Sequence, residues 1–597
     1  MLPSYYDKIN LVLASLLYYS AFAYGAPPDP NTNIIIVPLN KTYTYANREI
    51  YGNPMILNKQ SILQVKFDNL PIDSNLTFIV IQVHSQFDSV LLYQNIINYE
   101  NQLWGTNIGM ISVLKGHPDE PLSIKNTFYI QNNNTDINIP IYLSVHAYTV
   151  KDPYPGGCNM EFKMNMSCYL IVETDKDVIN VEAETASIGV DCIFTRSELS
   201  TFYMMYLPER SFDPVDYFAG IKKMMTLENI LKYGKVIPQT SELEVKRTLS
   251  AYPEIGAIYV VVARNIESDD IIDKTMGYSV YVPNHSYGCP DLNKEGCHLP
   301  RDMFSQTLSM FLIFLGLFIT FFGHRFFKTQ MFLSGFFSGF LVTFILINMM
   351  KNNEIDISEL IAASALSGVL FGATWLLFWW LYGIPVLAVL LPSLNLGFLF
   401  AAIFYYRLPA NVLYLQYNVN FWTLFILLML LTAMALVSVA YTASIVCCAV
   451  LGAFATICGW DYYMGSTLSY IVLNIVRRTI VPHFNLAVLS PPFQWRDLIM
   501  TLLWITLSSF GWYYQHWANL GRPPFPPPPR NTRRVAPGYE VRPAPGPTTY
   551  GALDTNITPS APEQEPYGSW IRNTLSRSSV AFRNFWYRDG DTAPLLA

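Results

Sequence analysis

From Ile34 to Leu299 apolar and polar positions alternate in short runs. From Phe304 to Trp517 they give way to long apolar runs with few charges. In the first half Ser61–Phe67, Leu76–His84, Ile139–Ala147, Tyr169–Glu173 and Ala257–Ala263 are rich in β-branched and aromatic residues and bounded by Pro, Asn, Asp or Gly. A period of two puts alternate side chains on opposite sheet faces, so these runs predict strands joined by turns. They are too many for one sandwich, and two are alike: Ile141–Ala147 is followed by Gly157-Cys158, and Ile258–Ala263 by Gly288-Cys289. The expected arrangement is two tandem β-sandwich-like domains, residues 26–165 and 166–300.

The second half holds seven charge-free windows: Phe304–Phe322, Met331–Met350, Leu360–Leu381, Ile384–Tyr405, Phe421–Val439, Tyr441–Gly459 and Leu498–Tyr513. Because about 20 apolar residues in a helix cross a bilayer, they predict a multi-pass α-helical membrane protein with seven spans over 301–517. Asp461–Val476 is shorter, carries Asp461, Ser466, Ser469 and Asn474, and leads into Arg477-Arg478. It is expected to be an interfacial or re-entrant helix with its basic end at the headgroups, not an eighth span. Gly335 with Gly339, Gly368 with Gly372, and the ladder Ser444, Cys448, Gly452 place small residues on single helix faces, where backbones can approach closely. Packing within the bundle is expected of them, and a homodimer seam is the alternative. Asn395, beside Pro392 and Ser393, is the most polar interior point and predicts either a helix-to-helix hydrogen bond or a broken helix around a small cavity.

Residues 1–25 read as a secretory signal: Lys8 precedes the apolar stretch Leu11–Phe22, and Ala21, Ala23 and Gly25 follow. Cleavage is expected between Ala23 and Ala26, with an uncleaved anchor as the rival. Asn-x-Ser/Thr triplets at Asn40, Asn75, Asn133, Asn165 and Asn284 all precede the first window, as exported glycosylation sites would. An odd number of crossings then delivers the carboxyl end to the cytosol of a cell-membrane protein. Arg325, Lys328, Arg522, Arg530, Arg533 and Arg534 fall on that side, as the positive-inside bias requires.

Composition narrows the chemistry. Of 597 residues 51% are hydrophobic and 14% charged, and the net charge of −6 offers no basic field to nucleic acid. His84, His117, His146, His285 and His298 lack metal-ligand spacing, and no phosphate-cradling loop or nucleophile elbow is present, so no enzyme, metal or cofactor is expected. No window carries an ionisable group near its centre, where carriers and intramembrane enzymes need one. Five cysteines precede the membrane block, an odd number. Cys158 with Cys168 and Cys289 with Cys297 are the local disulfide candidates, Cys192 is left over, and the connectivity stays open. Cys447 and Cys448 read as small packing residues.

From 518 to 597 proline, arginine and small polar residues dominate, a composition that cannot bury a core and predicts a disordered cytosolic tail. Phe525 followed by Pro526–Pro529 predicts either a polyproline ligand for proline-recognition domains or a stiff spacer. Tyr550 with Leu553, and Asp591 with Leu595 and Leu596, resemble tyrosine-based and acidic dileucine sorting signals. They predict sorting adaptors as partners and an endosomal or lysosomal pool.

Three strings carry a family resemblance: Phe321-Phe322-Gly323-His324-Arg325-Phe326-Phe327-Lys328-Thr329, the run from Ser466 to Asn474, and Gly521-Arg522-Pro523-Pro524-Phe525-Pro526-Pro527. They resemble the transmembrane 7 superfamily member 3 family and, more distantly, the transmembrane protein 198 family. The likeness covers residues 299–529, with Tyr154-Pro155-Gly156-Gly157-Cys158-Asn159 extending it into the first half. It implies a multi-pass cell-membrane protein tied to cell survival and to damping of endoplasmic-reticulum stress, without a catalytic centre. The leading expectation is therefore a non-enzymatic surface protein embedded in the lipid bilayer, whose β-rich half recognises or supports an extracellular partner. A small-solute or ion channel using Asn395 is one alternative. An orphan seven-span receptor is the other, although Asp-Arg-Tyr and Asn-Pro-x-x-Tyr are missing and only Tyr382-Gly383 separates the third and fourth windows.

Overall fold

The computed structural model describes residues 34–39, 44, 46–68, 76–94, 102–114, 127–149, 151–155, 168–183, 198–238, 246–265, 277–290, 303–350, 357–407 and 412–526. The first domain contains β1 (Ile34–Pro38), β2 (Glu49–Leu57), β3 (Ile62–Asp68), β4 (Leu76–His84), β5 (Val90–Tyr93), β6 (Gln102–Gly105), β7 (Asn107–Val113), β8 (Phe128–Gln131) and β9 (Ile139–Thr149). They form two sheets, ordered β1-β3-β8-β5-β6 and β2-β9-β4-β7. Val37, Val65, Val90 and Ile130 of one sheet meet Ile79, Ile81, Val83 and Val145 of the other in a shared core. The strand β4 is buried on both faces: Ile79 and Ile81 enter this core, while Phe78 and Val80 turn outward against Tyr148, Cys168 and Val282. That is why it reads as a nearly continuous apolar run.

The second domain contains β10 (Leu170–Thr174), β11 (Val178–Ala183), β12 (Glu198–Tyr206), α1 (Pro214–Lys223), α2 (Leu227–Tyr233), β13 (Lys235–Val236), β14 (Lys246–Ser250), β15 (Ala257–Asn265), β16 (Tyr278–Val280) and β17 (Asn284–Ser286). Its sheets are β10-β11-β14 and β13-β12-β15-β16, with β17 also paired to β15. Tyr259 and Val261 face the sandwich core, whereas Ile258, Val260 and Val262 face α1 and α2. These two helices add to the β-rich, sandwich-like arrangement that the strand pattern predicts. Asp213 caps α1 by accepting a hydrogen bond from Val215 N at 3.0 Å, and Pro214, with its φ preset, opens the first turn.

The remaining helices are α3 (Met303–Phe322), α4 (Phe327–Met350), α5 (Ile357–Tyr382), α6 (Pro385–Arg407), α7 (Asn418–Val437), α8 (Ala440–Met464), α9 (Tyr470–Ile480) and α10 (Trp495–Ala518). Six of them, α3 to α8, are long and apolar enough to cross a membrane. With 24 residues α10 is as long, but its Trp, Tyr, Ser and Gln side chains make it less apolar. Its end lies beside the end of α3: Gln515 Nε2 donates to Thr320 O at 2.6 Å, and Gln515 Oε1 accepts from His324 N at 3.0 Å. The 11 residues of α9 rise about 16 Å, too little to span a bilayer.

Close helix approaches run through glycine. A Cβ on Gly335 would lie 2.7 Å from Gly372 Cα, and one on Gly339 3.2 Å from Gly368 Cα, so the two small-residue pairs of α4 and α5 face each other. A second seam joins α3 to α8, where a Cβ on Gly452 would lie 2.7 Å from Thr320 N and one on Gly316 2.7 Å from Gly452 O. Asn395 bridges α6 to α4. Its Oδ1 accepts from Ser338 Oγ at 2.8 Å and its Nδ2 donates to Ser334 O at 3.3 Å. The polar interior point thus closes a helix-to-helix contact.

Candidate functional site at the domain junctions

The second β-domain makes two junctions. Toward the first domain, the outward face of β4 continues from Phe78 and Val80 into Gln82 and His84, all buried. Opposite His84 in the ladder stands Asn107 of β7. Asn107 Oδ1 lies 2.6 Å from His84 Nδ1 and 2.7 Å from Tyr217 OH of α1, and its Nδ2 donates to His285 Nδ1 of β17 at 2.9 Å. Gln86 Nε2 donates to Tyr287 OH at 2.7 Å. His146 of β9 is fully buried, and neither ring nitrogen has a partner among the described residues. Burial lowers His84, His146 and His285 from 6.5 to about 4, so all three are neutral at pH 7. An ion pair between Arg48 and Asp152, 3.0 Å apart, closes the opposite side, where Asp152 Oδ1 also accepts from Tyr278 N at 3.1 Å. No group of acidic, histidine or cysteine side chains suited to a metal occurs among the described residues.

Toward the helix bundle the junction is built by α9 and the segments flanking it. Gly465, at φ 69°, ends α8 in the left-handed conformation, and its backbone lies against the Arg210 guanidinium. Arg477 Nε lies 2.8 Å from Asp177 Oδ1, and Arg477 Nη1 donates to Ala251 O at 2.8 Å. Val488 forms a parallel bridge with Leu249 of β14, donating to Thr248 O at 2.8 Å and accepting from Ser250 N at 3.3 Å. Gln494 Nε2 donates to Leu207 O at 2.9 Å, and Arg496 Nε pairs with Glu209 Oε2 at 3.3 Å where α10 begins. Asp497 accepts from Thr467 N at 2.6 Å, tying the start of α10 back to the turn before α9.

This geometry corrects the expected exposure of the basic end of α9. Arg477 and Arg478 are 5% and 7% exposed, so protein groups take the place of lipid headgroups as their partners. Arg478 turns away from the β-domain, donating to Tyr405 OH at 2.9 Å and Leu415 O at 2.6 Å, with its guanidinium 3.9 Å from the Phe421 ring centroid. Charges this deeply buried persist only with such partners. Sequence reasoning found the two arginines but not Asp177, because an ion pair separated by 300 residues leaves no local pattern.

Cys168 is a free, buried thiol among Phe78, Val80, Tyr148 and Val282. It therefore does not pair with Cys158 as expected, since its sulfur serves as a small packing group in an apolar wall. Cys289 is disulfide-bonded, and its partner lies outside the described residues, as do Cys158 and Cys297. Asn133 is exposed, whereas Asn284 is half-buried and its Nδ2 donates to Leu170 O at 2.8 Å. Residues 1–25, Asn40, Asn75, Asn165, Tyr550, Leu553, Asp591, Leu595 and Leu596 lie outside the described residues. Gly335, Gly339, Gly368, Gly372 and Gly452 all sit in helix contacts within the chain.

Two sandwiches seated on a bundle of apolar helices define a multi-pass membrane protein with tandem β-domains. The comparisons give this class a family. Residues 47–148 match the TM7SF3-like N-terminal immunoglobulin-like domain, 153–291 the TM7SF3-like second immunoglobulin-like domain, and 309–516 the TM7S3/TM198-like domain. Transmembrane 7 superfamily member 3 of Mus musculus is 28% identical over 476 residues, covering 77% of this chain and 81% of the mouse protein. Transmembrane 7 superfamily member 3 of Homo sapiens is 27% identical over 525 residues, covering 83% and 89%. The chain belongs to the transmembrane 7 superfamily member 3 family.

Proposed function

We propose that this is a non-enzymatic cell-surface protein whose immunoglobulin-like domains form an exported recognition or scaffold module, anchored by seven crossings with the carboxyl tail in the cytosol. The signal-like start and the sequons support export. The path of α10, from Glu209 at its start to Thr320 near its end, supports a seventh crossing. By family resemblance its output is cell survival and damping of endoplasmic-reticulum stress, and the signals at Tyr550 and Asp591 route it through sorting adaptors.

The observation that carries the reading is the junction with the bundle. An ion pair and backbone hydrogen bonds connect β14 and Asp177 to α9 and to the segment leading into α10. A ligand on the second domain therefore acts on a rigid contact that leads directly into the membrane helices. Proximity labelling from both faces in living cells tests this, with Arg477→Met as the uncoupled control. A reproducible outer neighbour, with inner neighbours that change in Arg477→Met, is the expected result. Sorting adaptors inside with no consistent neighbour outside would overturn the recognition role. Antibody access to a tag at Ala597 on intact cells would overturn the topology.

A further inference from the structure

At the end of the bundle where α10 finishes, α4, α5 and α6 line a cavity of about 210 Å³. Its wall is aromatic, with Trp375, Phe378, Trp379 and Tyr382 on one side and Met331 and Leu387 completing it. The indole N–H groups of Trp375 and Trp379 are buried and have no acceptor among the described residues, and Trp379 is only 2% exposed. A buried donor left unpaired costs about 1–3 kcal/mol. An occupant with apolar bulk and free carbonyls would remove that penalty.

The chain itself arrives at this place with such a segment. Phe525 packs in the same apolar cluster as Phe327, Met331 and Trp379. Its ring is 5.3 Å from Phe327, whose ring is 5.0 Å from Trp379. Pro526 to Pro529 follow directly. Proline has no N–H to desolvate, and polyproline makes no internal hydrogen bonds, so its carbonyls are free to accept. Aromatic-lined grooves recognise polyproline by this chemistry. Four prolines at about 3.1 Å per residue reach about 12 Å, enough to pass from Phe525 over Trp379.

We propose that Pro526–Pro529 dock in cis in this cavity, their rings against Trp375, Phe378, Trp379 and Tyr382 and two carbonyls accepting the indole N–H groups. The docked motif is withheld from proline-recognition domains until it is released. Trypsin digestion of the full chain in lipid nanodiscs, followed by peptide mass spectrometry, tests this. Arg530 is the first cleavable site after α10, because Arg522 precedes proline, and Arg572 farther along the tail serves as reference.

Cleavage follows the open population, so docking predicts cutting at Arg530 about tenfold slower than at Arg572, equivalent to about 1.4 kcal/mol. W375F combined with W379F keeps an aromatic ring at each position, removes both donors and is expected to erase most of that protection. Pro527→Ser combined with Pro528→Ser is expected to erase it without touching the bundle. Equal cleavage at the two sites in the parent chain, or protection that survives both double variants, overturns the proposal. A lipid that co-purifies with the parent, is lost with the Trp→Phe changes and leaves Arg530 cleavage unaltered also overturns it, since the cavity would then be a lipid site.

Discussion

The two junctions of the second immunoglobulin-like domain differ in what fills them: a histidine cluster on one side, fixed charges and paired backbone on the other. Toward the first domain most of the buried polar groups are neutral, His84, His146, His285, Asn107, Gln86 and Tyr217, with one ion pair, Arg48 and Asp152, on the far side. Toward the bundle it uses charges and backbone, with Arg477 on Asp177, Arg496 on Glu209 and Val488 bridged to Leu249. A dry interface can hold histidine only while it is neutral, whereas a junction of fixed charges keeps its pairs over a wide pH range. The contrast predicts that acid opens the molecule between its β-domains and leaves the second domain seated on the helices.

Acidification is the largest expected effect, because it acts on three groups at once. Each histidine has a folded-state value of about 4 against 6.5 when free, so the unfolded or separated form binds more protons between those limits. Stability is full above pH 6.5 and falls as the pH drops toward 4. By about pH 5 the loss is about 2 kcal/mol for each histidine. Hydrogen exchange at pH 7.4 and 5 should show deprotection of β4, β7 and β17 but not of β14. Loss of β14 protection first would reverse the comparison.

Asn107→Leu comes next. It strips the partner from His84 Nδ1 and His285 Nδ1 in a closed interface and leaves Tyr217 OH with the Ser85 carbonyl alone, and is expected to cost about 3 kcal/mol, read as a lower thermal midpoint at neutral pH. Arg477→Met breaks the other junction. It removes the partners of Asp177 and of the Ala251 carbonyl, for about 2 kcal/mol, because Asp177 retains 36% side-chain exposure and water recovers part of the loss. Exchange should then rise in β14 and α9 while β4 stays protected. Glu209→Gln is expected to change stability by no more than about 0.5 kcal/mol, since the Arg496 side chain is 45% exposed and glutamine keeps an oxygen to accept from Arg496 N. A large effect there would make the start of α10 more dependent on charge than its capping by Gln494 and Asp497 implies.

Much of the fold was legible because burial imposes a period. Leu76–His84 and Ala257–Ala263 are β4 and most of β15, and Gly335, Gly339, Gly368 and Gly372 form the seam between α4 and α5. The seam between α3 and α8 was half legible. Gly452 stood out in a small-residue ladder, but Gly316 with Gly323, and Gly452 with Gly459, are spaced by seven, which a search for four-residue spacing passes over. The helices α1 and α2 were missed even though Asp213-Pro214 announces a helix start, because strands on both sides dominate the pattern.

Sequence alone determined the division into a β-rich half and an apolar helical half, since a side chain's preference for core or lipid is written residue by residue. It also singled out Arg477 and Arg478 as charges needing an explanation. Only the tertiary structure supplied the partners: Asp177 for Arg477, the Leu415 carbonyl for Arg478, and Asn107 as the centre of a histidine cluster drawn from both domains. Such contacts join positions 23 to 300 residues apart, and their stability comes from the exclusion of water by everything packed around them. No local stretch of sequence contains that exclusion.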